Sequence, residues 1–198
     1  MRKESLALCL GVLAGCAVSK VYVSDHYVSA GKVAVMLVTN ESNDLDGPPF
    51  IRKLFMDGLM ARGFIVMPVG PIDEQLKAQG FTDGGQLGAT TPQKIGEWTG
   101  ADSLFYTTIE DFDYINVGFY TQRSVKIKAK LVDARTGERL WEADREGSTR
   151  AVATNKKQAE SLFAVQMAVK AAEKMAHTPL QPESRSVVLQ LLNTLPRR

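Results

Sequence analysis

Few side chains in this 198-residue sequence have the types and spacing for chemistry. Cys9 and Cys16, its only cysteines, both fall in the opening stretch MRKESLALCLGVLAGCAVSK. A disulfide, a metal ligand, a nucleophile and a lipid anchor are the four uses open to Cys16. His26 and His177 are the only histidines, one near the start and one near the end of the chain. A Ser–His–Asp arrangement would have to recruit one of them, and neither sits on a strand end in the core. Glu110, Asp111 and Asp113 cluster behind an apolar run, where a cation could bind. They read more simply as an exposed acidic loop that keeps a strand end soluble. The stretch DGGQLG (83–88) has the glycines of a phosphate loop but no strand before it, no G-x-G-x-x-G spacing and no Lys-Ser/Thr pair. It is expected to be a flexible loop. Lys126, Lys128 and Lys130 alternate along one segment and need no anionic ligand if acids face them across a hairpin. No catalytic, cofactor-binding or metal-binding residue is assigned.

Cys16 is different, because its flanks agree with it. Arg2 and Lys3 form a short positive region, and Leu6 to Leu13 is an apolar run of signal-peptide length, too short to span a bilayer. Leu13-Ala14-Gly15-Cys16 resembles the lipobox of bacterial lipoproteins. Small residues there let a signal peptidase approach the extended backbone, and the thiol takes a diacylglycerol. The resemblance implies that residues 1–15 are a signal peptide, that Cys9 leaves with it, and that Cys16 becomes a thioether. The mature chain then has no free thiol and no disulfide. Several acyl chains hold firmly, since each buried CH₂ contributes about 0.8 kcal/mol. Ala17, a residue other than Asp, fits retention in the outer membrane, with the domain facing the periplasm.

The remainder has the composition of one globular domain: 44% hydrophobic, with Lys+Arg 24 against Asp+Glu 22. That balance argues against a nucleic-acid footprint, which would show basic clustering. Residues 16–30 are the lipidated N-terminus followed by a tether, with Val21 and Val23 allowing an edge strand instead. As a tether they reach at most about 50 Å, at roughly 3.3 Å per residue. Residues 31–178 read as a single α/β domain. KVAVMLV suits a buried strand, PPFIRKLFMDGLMARG a helix opened by prolines and closed by Gly63, and FIVMPV a second strand, giving a parallel strand–helix–strand start. Thr91-Pro92 opens a further helix, and ADSLFYTTIEDF is a third strand.

The segment RSVKIKAKLVDARTGERLWEADREG carries a hairpin. Val125, Ile127, Ala129 and Leu131 alternate with the three lysines, and Arg135-Thr136-Gly137 suits a three-residue loop. Pairing Ala134 with Glu138 sets Lys130, Lys128 and Lys126 opposite Glu142, Asp144 and Glu146, and Leu131 opposite Trp141. Behind it, residues 154–177 predict an amphipathic helix with Leu162, Val165, Val169, Ala172 and Ala176 in one stripe, expected to cover the sheet. Residues 179–198 read as a C-terminal tail with a short helix whose Val188, Leu191, Leu192 and Leu195 must borrow a surface, from the domain, a second copy or a partner.

Behind its lipobox, the combination GFIVMPVGPIDEQLKAQGFT, TPQKIGEWTGADSLFYTTIEDF and VKIKAKLVDARTGERLWE resembles a bacterial lipoprotein family of unknown function, DUF799-type, known among Neisseria surface antigens. The strand before DARTGERLW is also similar to a segment of CsgG-like secretion lipoproteins and LpoB-type activators. The resemblance implies an α/β fold like the N-terminal domain of TolB, with helices packed on a mixed sheet. It implies no enzymatic activity and no cofactor, and it carries over Cys16 alone. The function it points to is a non-catalytic assembly factor that binds other envelope proteins, with a CsgG-like lipoprotein as partner and a homo-oligomer as an option. The alternatives are an LpoB-like activator of a peptidoglycan synthase and, less favoured, an envelope hydrolase using Asp111 and Asp113. Cys16→Ser should leave the precursor uncleaved and unlipidated. Membrane fractionation after a high-salt wash should find it no longer with the outer membrane; persistence there overturns the lipobox reading.

Overall fold

A computed structural model describes residues 20–27 and 31–197; Cys9, Cys16 and the 1–15 leader lie outside the described residues. The chain begins with a short edge strand, β1 (Val21–Val23), then a buried strand, β2 (Lys32–Val35), and a two-residue strand, β3 (Thr39–Asn40). Helix α1 (Gly47–Ala61) has its prolines in the first turn, where a missing N–H costs nothing, and stops before Gly63 at φ 86°. β4 (Ile65–Val66) returns parallel to β2, completing the expected strand–helix–strand unit. Helix α2 (Val69–Ala78), a 3₁₀ turn (Gly84–Ala89) and helix α3 (Pro92–Thr99) follow, and Thr91 caps α3. Three long strands then run back and forth: β5 (Ser103–Val117), β6 (Tyr120–Asp133) and β7 (Arg139–Val152). Two helices close the chain, α4 (Lys156–Ala176) and α5 (Gln181–Thr194).

These strands make one mixed sheet in the order β1-β7-β6-β5-β2-β4, with β3 also parallel to β5. Of the two readings of residues 17–30, Val21–Val23 shows the strand, paired antiparallel to β7. Because the parallel strand β2 is covered on both sides, Val33, Ala34, Val35 and Met36 lose all contact with solvent. One face packs on α1 and α5, where Ile51, Phe55 and Leu59 meet Val125, Ile127, Ala129 and Leu131. The other packs on α2, α3 and the 3₁₀ turn through Ile72, Leu76, Leu87 and Ile95, but only over the parallel half. An aromatic run threads the first layer: Phe55 lies 5.0 Å from Phe105, which stacks on Trp141 at 5.9 Å.

The β6–β7 register is the one the charge pattern predicts: Leu131 faces Trp141, Ala129 faces Ala143, and the lysines face Glu142, Asp144 and Glu146. Its loop is not. The register shifts between Leu131 and Val132, so Leu140 is the extra residue of a bulge and Val132 faces Arg139. The loop closes on Asp133, whose N–H donates to the Glu138 carbonyl, and Ala134 turns inward to donate to Asp102. Gly137 takes φ 76°, as a left-handed loop position requires. The side chains pair diagonally rather than directly. Lys128 reaches Glu142 at 2.9 Å, Lys126 reaches Glu110 on β5 at 2.9 Å, and Lys130 lies 5.0 Å from the Tyr106 ring. Long side chains on a twisted sheet reach such diagonal neighbours readily.

The α5 stripe borrows its surface from the domain itself, as the sequence allowed, whereas α4 does not take the place expected of it. The 179–198 segment is an integral layer: Val187, Val188, Leu191, Leu192 and Leu195 are all buried in the main core. Gly147 on β7 allows this close approach, since a Cβ there would stand 2.8 Å from the Val187 methyl. α4, expected to cover the sheet, buries none of its residues, because α5 and α1 already occupy that face. Truncating a fully buried leucine on α5 should therefore be costly. Leu191→Ala is expected to lose about 2–5 kcal/mol of unfolding free energy in urea titrations. A loss below about 1 kcal/mol would mean that the docked helix is dispensable.

Candidate functional site: an open sheet face and an uncovered helix

The residues singled out for chemistry do not converge. His26 lies exposed in the turn after β1, where its N–H donates to the Ser24 hydroxyl. His177 caps α4 at φ 50°, with Nδ1 3.6 Å from Asp46. The 83–88 stretch is an ordered 3₁₀ turn rather than a flexible loop. Asp83 accepts from the Gly85 N–H while Gln86 accepts from the Asp83 N–H, a reciprocal cap readable in the sequence as Asp-x-x-Gln. Gly84 presses on the Val38–Thr39 backbone so closely that a Cβ would stand 2.3 Å from a backbone carbon.

Glu110, Asp111 and Asp113 sit within β5 rather than on a loop after it. The β5–β6 register shifts between Ile109 and Asp111, which keeps both Ile109 and Phe112 on the core side and turns Asp111 and Asp113 to the opposite one. Asp111 accepts from the Ser124 hydroxyl at 2.7 Å. Burial, and then the charge and hydrogen bond of Asp111, push the Asp113 carboxyl up from its ordinary value.

Among the described residues, two surfaces remain without a cover. The first is the antiparallel half of the sheet, on the face away from α1 and α5. It is walled by the 3₁₀ turn on one side and by the β6–β7 loop on the other, around an open cleft of about 630 Å³. Tyr22, Tyr106, Lys130, Arg139 and Glu142 line it. Its charges neutralise one another: Glu142 takes both Lys128 and Arg139, and the Arg139 guanidinium lies 4.2 Å from the Tyr22 ring. Burial pushes the Tyr106 phenol up to about 12.

The second is α4. Its footing is an ion cluster under its C-terminal end, which sequence reading missed because the three members lie far apart in the chain. Arg123 on β6 reaches Glu183 on α5 at 3.1 Å and also bonds Glu173 on α4. Lys170 adds a contact 5.0 Å from the Tyr114 ring. From there the helix runs toward the outer end of β5 and its turn into β6, where Ala159, Phe163 and Met167 share a shallow groove with Asn116 and Gly118. Apolar residues stay exposed on it among charged ones: Phe163, at the edge of the groove, is 55% exposed, Val165 58% and Met175 85%. Exposed stripes of this kind mark association surfaces. None of the described helices is long and apolar enough to cross a membrane.

Comparison with known proteins now has a geometry to stand on. Residues 24–189 match the model of the family described as "Putative lipoprotein GNA1162-like". The chain belongs to this family. A curated relative in Neisseria meningitidis serogroup B, "Putative lipoprotein NMB1124/NMB1162", is 29% identical over 143 residues, covering 69% of this chain and 66% of the relative, just short of two thirds of its length. Among solved structures, lipoprotein GNA1162 from Neisseria meningitidis matches with a TM-score of 0.57 at 24% identity, over 72% of this chain and 99% of that one. The PelC dodecamer from Paraburkholderia phytofirmans matches with a TM-score of 0.53 at 15% identity, over 91% of this chain and 98% of that one. The mixed α/β fold, the lipoprotein family and the resemblance read from the sequence thus agree.

Burial opposes ionisation of Glu183, but hydrogen bonds from Arg123 and Thr149 outweigh it and hold the carboxyl below its ordinary range. A depressed carboxyl contributes stability that is present above the unfolded-state value of 4.5 and is lost as pH falls through the folded-state value. Glu183→Gln should therefore lower stability by about 1.5–3 kcal/mol at neutral pH, the range for hydrogen bonds to charged groups. The gap from wild type should close as unfolding titrations move below pH 4.5. A gap that stays constant into acid would remove the charge from the account.

Proposed function

We propose that this chain is a non-catalytic lipoprotein, held in the outer membrane by acylated Cys16 with its domain in the periplasm, that works by binding other envelope proteins during assembly. The observation that carries this reading is α4: a 21-residue helix that buries none of its residues and presents Phe163, Val165, Val169 and Met175 to solvent. A folded chain that holds such a helix in place with an ion cluster is built to present it. Family membership supports the anchor, and a CsgG-like lipoprotein is the partner class that the sequence resemblance suggests. PelC, which shares the fold, forms a dodecamer, so multimer formation is a use this architecture accommodates.

The hydrolase alternative gains no support from the site. Asp111 and Asp113 lie on one side of one strand and bond to each other, whereas paired-carboxylate chemistry needs acids flanking the scissile bond from both sides. Crosslinking in intact membranes, followed by capture of the lipidated protein, tests the proposal. Wild type should yield discrete crosslinked species, and Val165→Glu/Val169→Glu should lose them while melting at the same temperature. An unchanged crosslinking profile would remove α4 from the function.

A further inference from the structure

We infer that the outer edge of β7 takes a second copy of this chain, strand against strand and antiparallel, about a two-fold axis through Ser148. The edge lies apart from α4, so the inference goes beyond the assembly role and does not depend on it.

β1 covers this edge only in part. Its register runs from Trp141 to Ala143, while β7 continues to Val152. Among the described residues, no further strand lies alongside that edge. The hydrogen bonds fix which groups point there. Ala153 donates to the Phe119 carbonyl on the β6 side, and Ser24 donates to the Leu140 carbonyl on the outer side. Bonding alternates along an antiparallel strand, so Glu146, Ser148 and Arg150 turn their N–H and C=O groups outward. Trp141 and Ala143 point into the core, so by alternation the side chains of Glu146, Ser148 and Arg150 stand on the open face, where all three are exposed. Gly147 and Thr149, between them, turn to the α5 side, beside Val187 and Glu183. α4 is engaged at the outer end of β5, two strands away.

An open edge templates another strand, and charged side chains normally guard it. A guard works by repelling its own copy, and here the charges do the reverse. An antiparallel copy turned about Ser148 sets Glu146 of each chain against Arg150 of the other, and Ser148 against Ser148. The contact is isologous, so the ion pair forms twice. On the α5 side, Gly147 meets Thr149 and Arg145 meets Ala151. No like charges stand directly opposite, and Asp144 lies diagonal to the second copy's Arg150. Behind the edge, β6 places Lys126 beside Glu146 and Gln122 beside Arg150, and Lys126 already bonds Glu110. The pairing spans residues 145–151, and the second copy's β7 ends at Val152, beside the head of β1. An axis through Thr149 instead would set Glu146 against Val152 and Arg150 against Ser148, matching no charge. The chain's own residues 16–20, continued in the β1 register, would bring Val18 to Glu146 and end at Ser148, short of Arg150.

The test uses the full lipidated protein in detergent, with particle mass and amide hydrogen exchange as readouts. Wild type should dimerise, and the Glu146, Ser148 and Arg150 amides should slow only at concentrations where it does. Ser148→Pro removes an outward donor without touching the bonds to β6, and should weaken dimerisation by about tenfold or more. Glu146→Arg and Arg150→Glu each set like charges together and should weaken it comparably. Mixing these two variants sets every Arg against a Glu and should restore pairs. All three positions are exposed, so melting temperatures should hold. If Ser148→Pro melts early, the charge-swapped mixture decides alone. A mixture that stays monomeric, or variants that dimerise like wild type, would sink the proposal. A monomeric wild type with those amides slow gives the edge to residues 16–20 instead. A monomer with fast amides leaves the edge open, and an envelope protein bound there and lost with Ser148→Pro gives it to a partner's strand; either result overturns the self-pairing. Membrane crosslinks through α4 report on the assembly role separately, so the two readings fail independently.

Discussion

A face of a sheet can be covered only once. The side of β6 formed by Val125, Ile127, Ala129 and Leu131 must lose water for this fold to be stable, and α5 and α1 take the whole of it. Everything distinctive about the C-terminal half follows from that occupancy. α4 is displaced toward the outer end of β5 and its turn into β6, the loop between the helices turns through His177 and Leu180 at positive φ, and Arg123 ties both helices to β6. The same logic on the other side leaves the antiparallel half open, because α2, α3 and the 3₁₀ turn cover only the parallel strands.

What the sequence makes legible is local and periodic. The alternation of apolar residues and lysines in β6, with acids spaced to match in β7, admits one register, since a slip by one residue would turn Trp141 toward the lysines. The prolines that open α1 and the Thr91-Pro92 start of α3 are equally direct. The bulge is legible in retrospect. Leu140 and Trp141 are consecutive apolar residues in an otherwise alternating strand, and the bulge lets both enter the core. The assignment of α4 and α5 is not legible. Each carries an apolar stripe at helical spacing, and the pattern records that a stripe exists without recording which of two claimants reaches the sheet.

The candidate surfaces show the same division. Single residues were poor guides, because neither histidine has a partner set around it and the glycine-rich turn serves a close backbone approach. The acidic pair is placed by an irregularity between Ile109 and Asp111 that alternation alone cannot foresee. The ion cluster at Arg123 joins residues 50 and 60 positions apart in the chain, a separation at which no spacing rule operates.

The edge strand β1 also fixes how the body is leashed. With Cys16 lipidated, as proposed, Val21 is only five residues along the chain, and it is already hydrogen-bonded into the sheet beside β7. Five residues of extended chain span at most about 17 Å, a third of what a free segment to residue 31 would allow. The domain would then ride close to the bilayer with one sheet edge nearest the lipid, and copies sharing that membrane would meet in a common orientation and at a common height. Such confinement replaces a search through three dimensions by one within a plane.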